Sequence, residues 1–211
     1  MKTFDLSLYL VLDPILCRQL GMVETATLAV AGGVTMVQLR DKAADTAAMT
    51  EAGRALKAAL AGTGVRLIVN DDVDAAIAIG ADGVHVGQAD LEVARVREQI
   101  SPDMILGLSV ETVELARAVE PELVDYVGVG PVFATGTKPD HKAPIGFEGL
   151  RKVIAAAPVR AVAIGGLKAE HAAHVLASGA EGLAVVSAIC GTTDPQAAAK
   201  AIAAEIGRSR R

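Results

Sequence analysis

Short apolar runs recur along the chain at 8–12, 36–39, 67–70, 83–86, 105–108, 126–130, 161–164 and 183–186. They are rich in Val, Ile and Leu and have the length of strands buried on both faces. Between them lie Ala-rich stretches of helical length at 46–60, 73–79, 91–99, 113–119, 147–156, 169–177 and 195–206. Such alternation is the sequence form of βαβ units, in which successive strands run parallel and a helix returns the chain.

The junctions repeat as well. Gly32-Gly33-Val34, Gly80-Ala81-Asp82-Gly83-Val84 and Gly179-Ala180-Glu181-Gly182-Leu183 each read as a helix-ending glycine that feeds a strand. They lie 48 and 99 residues apart, which is two and four units of roughly 25 residues. Eight such units predict an α/β chain folded as a single (β/α)8 TIM barrel, one domain over residues 1–211. A doubly wound open sheet is the weaker alternative, because no GxGxxG turn follows the first strand.

Composition narrows the function. At 52% hydrophobic and 21% charged, the chain can bury a sizeable core. Two Tyr, three Phe and no Trp leave no stacking platform for single-stranded nucleic acid, and a net charge of −5 also opposes nucleic-acid binding. The closing Arg208-Ser209-Arg210-Arg211 reads as a solvated, frayed tail. Cys17 and Cys190 form no CxxC and have no partnered His, so they read as buried free thiols in a reducing compartment. No apolar run reaches the length of a membrane span, and 8–12 is too short for a signal-peptide core. A soluble, cytoplasmic protein is expected, with no membrane partner. A homo-oligomer is left open.

In a barrel of this kind the strand C-termini carry the chemistry. The second strand ends Gln38-Leu39-Arg40-Asp41-Lys42, where Gln38 and Arg40 share a face and Lys42 follows. Two cations and an amide suit a multiply charged anion; the alternative is rim pairing of Arg40 and Lys42 with Asp41 and Asp45. The third ends Asn70-Asp71-Asp72, with Asp72 placed as a helix cap and Asn70 and Asp71 left for the site. Asp90, beyond the fourth strand, either caps the helix from Leu91 or joins Asp71 as a two-carboxylate site for Mg²⁺. His85 reads as an inward, hydrogen-bonded strand residue, and His171 and His174 as a solvated helix face. Ser109 is either a cap of the helix near Glu111 or a hydroxyl at the mouth.

The stretch 127–140, VGVGPVFATGTKPD, starts as a strand whose Gly128 and Gly130 leave one face bare for something else to occupy. It ends in a long loop at 134–144, where Thr135, Gly136, Thr137 and Lys138 offer donors to a phosphate; an ordinary surface loop is the alternative. Gly165-Gly166 after the seventh strand and Val186-Ser187 after the eighth suit a phosphate held by backbone N–H groups and a helix N-terminus. Arg40, Lys42, Asp71, Asp90 and Lys138 thus suit a diphosphate with Mg²⁺, and Gly166 with Ser187 a phosphate monoester. Two phosphorylated substrates at one mouth point to group transfer with pyrophosphate leaving.

The strings QLRDK, VNDD, DGVHVGQAD, GPVFATGTKPD, AIGGL and VVSAI, in this order, resemble the thiamine phosphate synthase (thiamine-phosphate pyrophosphorylase) family over essentially the whole chain. The resemblance implies condensation of 4-amino-2-methyl-5-hydroxymethylpyrimidine diphosphate with 4-methyl-5-(2-phosphoethyl)thiazole to thiamine phosphate and pyrophosphate. It places Gln38, Leu39, Arg40, Asp41, Lys42, Asn70, Ser109 and Lys138 on the pyrimidine diphosphate, and Asp71 and Asp90 on Mg²⁺. Thr135, Gly136, Thr137, Gly166, Val186 and Ser187 fall on the thiazole-phosphate side. Two departures are mild: Asp41 stands where Glu is common, and AIGGL replaces GIGGI. No Ser/His/Asp or Cys/His pair supports a covalent enzyme intermediate, so Arg40 and Lys138 are assigned to charge developing on departing pyrophosphate. A thiazole tautomerase on the same fold and a non-catalytic thiamine-phosphate binding module remain as alternatives.

Overall fold

A computed structural model describes residues 2–88, 92–137 and 142–211. In its first half, β1 (Leu8–Leu12), β2 (Met36–Leu39), β3 (Arg66–Asn70) and β4 (Gly83–Val86) alternate with α1 (Met22–Ala31), α2 (Thr46–Leu60), α3 (Val73–Ile79) and α4 (Val93–Gln99). The second half continues with β5 (Ile105–Val110), α5 (Val113–Arg117), β6 (Tyr126–Val129) and α6 (Gly146–Ala156). After β7 (Arg160–Ala163), a 3₁₀ turn (Ala169–His171) leads into α7 (Ala172–Ala177), then β8 (Leu183–Val185) and α8 (Pro195–Ser209). Every strand pairs in parallel with the next, and β8 returns to β1 through Leu8↔Leu183, closing an eight-stranded (β/α)8 barrel. Among the described residues no helix is long and apolar enough to cross a membrane.

The period-two pattern of each strand divides two apolar layers. Leu8, Leu10, Leu12, Val37, Leu39, Val84 and Val86 point outward and pack with the helices. Phe4, Leu6, Tyr9, Met36, Ile68, Ile105, Tyr126 and Val162 fill the lumen. Each fully buried Leu or Ile contributes roughly 1.5–3 kcal/mol through its removal from water. Phe4 and Leu6, ahead of β1, are buried in this layer and act as its floor. Arg160 lies 4.3 Å over the Phe4 ring and is held by Glu181 through Nε to Oε1 at 2.8 Å.

Local chemistry explains where the helices start. Asp45, Asp72 and Asp194 accept from the backbone N–H of Ala48, Ala75 and Ala197, and Thr112 accepts from Leu115. These side chains satisfy donors that the first helical turn would leave unpaired. Asp72 is the cap that the sequence predicts. The left-handed Gly80 likewise ends α3 as expected.

Several expectations are corrected. Ser109 lies inside β5, and the cap of α5 is Thr112. α4 starts at Val93, with Glu92 at its N-cap position and no side-chain cap; Asp90, read as a possible cap, lies outside the described residues. The arginines at the end are not frayed: α8 extends to Ser209, Arg208 pairs with Glu205, and Arg210 donates to the Glu181 carbonyl. His174 is exposed as read, stacking on Phe147 at 4.9 Å, whereas His171 is half-buried against Phe133 at 4.7 Å and does not simply face solvent. The bare strand face at Gly128 is filled from within, since a Cβ there would lie 3.3 Å from both His85 and Ile164.

Candidate active site

A cavity of about 180 Å³ opens among the C-terminal ends of the strands. Gln38, Arg40, Lys42, Asn70, Asp71, Ser109, Thr135, Thr137, Gly166, Val186 and Ser187 all line it. Residues spread over most of the chain thus meet at one mouth, because each follows a parallel strand of a closed barrel.

On β2 the alternation decides which side chains reach it. Gln38 points inward and Arg40 follows on the same face, whereas Leu39 is fully buried against the helices. Asp41 turns back on its own loop, where Oδ1 accepts from the N–H of Ala43 at 3.0 Å and Ala44 at 3.3 Å. Neither the Leu39 nor the Asp41 side chain lines the cavity, so the direct contacts expected of them are not seen. The rim-pairing alternative also fails. Asp45 caps α2, Lys42 pairs with Asp71, and Arg40 makes no hydrogen bond or ion pair with any described residue. A guanidinium left half-buried without a counter-charge is a ready anion site.

Asp71 stands in a left-handed conformation, with φ of 61°. Asp is one of the few residues that adopt it at tolerable cost. The turn brings the carboxylate to the cavity, where Oδ2 accepts from the Lys42 ammonium and from Asn70 Nδ2 at 2.5 Å. Among the described residues, no group of three His, Cys, Asp or Glu side chains could hold a metal ion. Asp90, the other carboxylate expected to bind Mg²⁺, lies outside the described residues, as does Lys138.

The deeper wall is a chain of hydrogen-bonded polar side chains. Gln38 Nε2 donates to the Tyr9 hydroxyl at 2.7 Å, which lies 2.9 Å from the Tyr126 hydroxyl. That hydroxyl meets His85 Nδ1 at 2.9 Å, and His85 Nε2 meets Ser109 Oγ at 2.9 Å. Burial pushes both tyrosine hydroxyls well above their ordinary pKa, so they stay protonated across the physiological range. His85 is inward and hydrogen-bonded as the sequence predicts. Tyr9 and Tyr126 are functional candidates that sequence reasoning missed. The available signal was that both tyrosines of an aromatic-poor chain fall within strand-like runs, Tyr9 in 8–12 and Tyr126 in 126–130.

The opposite wall comes from β6, β7 and β8. Thr135 and Thr137 bring their hydroxyls together at 2.8 Å, while Gly136 between them is exposed and does not line the cavity. Lys142 lines it and was not anticipated. Gly166, at φ of 67°, leaves no room for a Cβ against Phe133 and the Ala134 carbonyl, each 2.8 Å away. Its close backbone approach is therefore to the loop after β6. Beyond β8 the chain forms a turn, with Ile189 and Cys190 donating to the Val186 carbonyl, and α8 starts only at Pro195. The helix N-terminus expected beside Ser187 is thus a turn. Cys17 and Cys190 are free and buried, and the Cys190 thiol faces the Val11 carbonyl at 3.7 Å.

The model of the thiamine monophosphate synthase family matches residues 8–189. A thiamine-phosphate synthase of Azorhizobium caulinodans is 50% identical over 208 residues, covering 99% of this chain and 98% of its own length. Another, of Xanthobacter autotrophicus, is 49% identical and covers 99% of both chains. The solved thiamine phosphate pyrophosphorylase from Pyrococcus furiosus superposes with a TM-score of 0.86 at 36% identity, covering 97% of this chain and 96% of that one. A 3-hexulose-6-phosphate synthase shares the fold alone, with a TM-score of 0.70 at 21% identity. By the family model and by relatives matched over nearly its whole length, the chain belongs to the thiamine monophosphate synthase family.

Proposed function

We propose that the chain condenses 4-amino-2-methyl-5-hydroxymethylpyrimidine diphosphate with 4-methyl-5-(2-phosphoethyl)thiazole, releasing pyrophosphate and thiamine phosphate. The observation that carries this reading is the division of one cavity. Arg40 and the Lys42–Asp71 pair stand on one wall, and the paired threonines with Ser187 stand on the other. A tautomerase or a passive binding module gives the cationic wall no evident work.

In this reading Arg40 grips the diphosphate, and Lys42 moves from Asp71 to a phosphate oxygen. That exchange costs little, because a pair whose Lys side chain is 54% exposed is worth at most about 1 kcal/mol. Lys138, assigned from its motif, supplies further positive charge. The bond from the pyrimidine methylene to the diphosphate oxygen breaks, and its electron pair leaves with pyrophosphate. The electron-rich aminopyrimidine ring carries the transient positive charge until the thiazole nitrogen forms the new C–N bond with its lone pair. Arg40 and Lys138 hold the departing charge, while Thr135, Thr137, Val186 and Ser187 hold the thiazole phosphate at attack distance.

The donor set at Asp71 fits a hard divalent cation. Asp71 and the Asn70 amide line the cavity, and Asp90, assigned from its motif, would add the second carboxylate; such a set is what Mg²⁺ takes when waters and substrate phosphates complete its shell. Bound there, Mg²⁺ would supply charge neutralisation on the diphosphate. The small-molecule substrates and the reduced thiols Cys17 and Cys190 suit a cytoplasmic setting. The test is pyrophosphate release, measured with each substrate alone and with both, with and without Mg²⁺. Release that needs both substrates and Mg²⁺ is expected. Binding of thiamine phosphate without any release would establish the passive module instead.

A further inference from the structure

The buried polar chain along the lumen wall has one property that none of its members has alone. The partners of the Tyr9 hydroxyl are the Gln38 amide and the Tyr126 hydroxyl, and those of Tyr126 are Tyr9 and His85 Nδ1. With the Gln38 amide nitrogen donating to Tyr9, the Tyr9 proton has Tyr126 as its acceptor. The Tyr126 proton then goes to His85 Nδ1, and His85 carries its own proton on Nε2, facing Ser109 Oγ. At the far end, the Ser109 proton is turned out into the cavity. At the near end, the Gln38 amide oxygen is turned out as an acceptor, and no buried side-chain nitrogen or oxygen of the described residues lacks a partner.

We infer that Tyr9, Tyr126 and His85 are positioning residues, forming a relay that fixes Gln38 as an acceptor and Ser109 as a donor towards the ring bound between them. This rests on the proposed substrate and deepens it. A 4-aminopyrimidine presents the complementary edge, an exocyclic N–H₂ beside a ring nitrogen with a lone pair. Its 4-oxo analogue presents the opposite edge, an acceptor beside an N–H. To accept that analogue, the whole chain must reverse together. The Gln38 amide, only 4% exposed, must flip, and four hydrogen bonds must change direction. A site whose buried polar groups would be left mismatched rejects a ligand far more strongly than apolar shape can.

The relay also explains glycines on the neighbouring strands. A Cβ at Gly107 would run into the rings of Tyr126 and His85, and one at Gly128 would press on His85. The tilted contact of His85 with Tyr126, at 5.5 Å between centroids, holds the imidazole in the plane the relay requires. These aromatic residues are held as a unit.

The test is the preference of the holoenzyme for the 4-aminopyrimidine diphosphate over its 4-oxo analogue, read as a ratio of dissociation constants by calorimetry. It is run for the wild type, Tyr126→Phe, Tyr9→Phe, Ser109→Ala and the Tyr126→Phe/Ser109→Ala double variant. The Phe variants keep the packed rings and remove one link each. The wild type is expected to prefer the amino ligand at least fiftyfold. Either Phe variant should cut that ratio at least tenfold with the KM for the thiazole phosphate unchanged, and Tyr126→Phe should add nothing in the Ser109→Ala background. Equal weakening of both ligands, leaving the ratio unchanged in both Phe variants, would mean the chain is merely structural and overturn the relay. A wild type that binds neither ligand and releases no pyrophosphate would instead remove the substrate assignment, and the relay with it.

Discussion

Asp71 and Asp72 are adjacent carboxylates with different work. Asp72 caps α3 through the Ala75 N–H at 2.8 Å, a bond over three residues that sequence alone reveals. Asp71 could be placed at the site from its position after the third strand, but its left-handed backbone and its Lys42 partner, 29 positions away, depend on how the barrel closes. The pair gives a matched test of the proposed metal site. Asn tolerates the left-handed turn and caps a helix about as well as Asp. Asp71→Asn and Asp72→Asn should therefore both keep melting temperatures near the wild type. Asp71→Asn alone should raise, at least tenfold, the Mg²⁺ concentration for half-maximal activity, and weaken Mg²⁺ binding by calorimetry. Unchanged Mg²⁺ dependence in Asp71→Asn would move the metal elsewhere.

At the scale of elements, the connection from β6 to α6 is laid over the end of β7. Val132 donates to the Ile164 carbonyl at 2.9 Å and Phe133 to that of Gly165 at 3.1 Å. Gly166 permits this closeness, so Gly166→Ala should cost at least about 1–2 kcal/mol from its backbone conformation alone. Its melting temperature should fall by several degrees, together with activity on both substrates. Ser187→Ala is the cleaner probe of the thiazole-phosphate wall, because Ser187 sits on an exposed turn. It should raise the KM for that substrate several-fold, leaving the diphosphate KM and thermal stability unchanged. How legible an element was in the sequence followed its local signals. Helices opened by Asp45, Asp72 and Asp194 were read to within a residue at their starts, because the cap is a side chain in the sequence. α4 has no such bond at Glu92 and was read two residues early, from Leu91. α1, with Gly21 at its N-cap position and no side-chain cap, went unread.

For the whole molecule, the barrel could be counted from its eight apolar runs, and the cluster at its mouth followed from the rule that strand C-termini converge. The lumen could not be read this way. That Tyr9 of β1 meets Tyr126 of β6, 117 positions on, is a product of closure across the barrel and leaves no mark on local periodicity. Closure has a further consequence. With Phe4, Leu6, Met36 and Ile105 filling the N-terminal end, the described lumen is a blind vessel that opens at the strand C-termini. Two ligands stacked in a vessel with one door must queue. In the proposed arrangement the ring that meets Gln38 and Ser109 sits inside, so the pyrimidine diphosphate goes in first. A thiazole phosphate that arrives early blocks the doorway. Initial rates should therefore show inhibition by excess thiazole phosphate that is competitive with the pyrimidine diphosphate, and random-order kinetics without such inhibition would show that the two ligands pass each other freely.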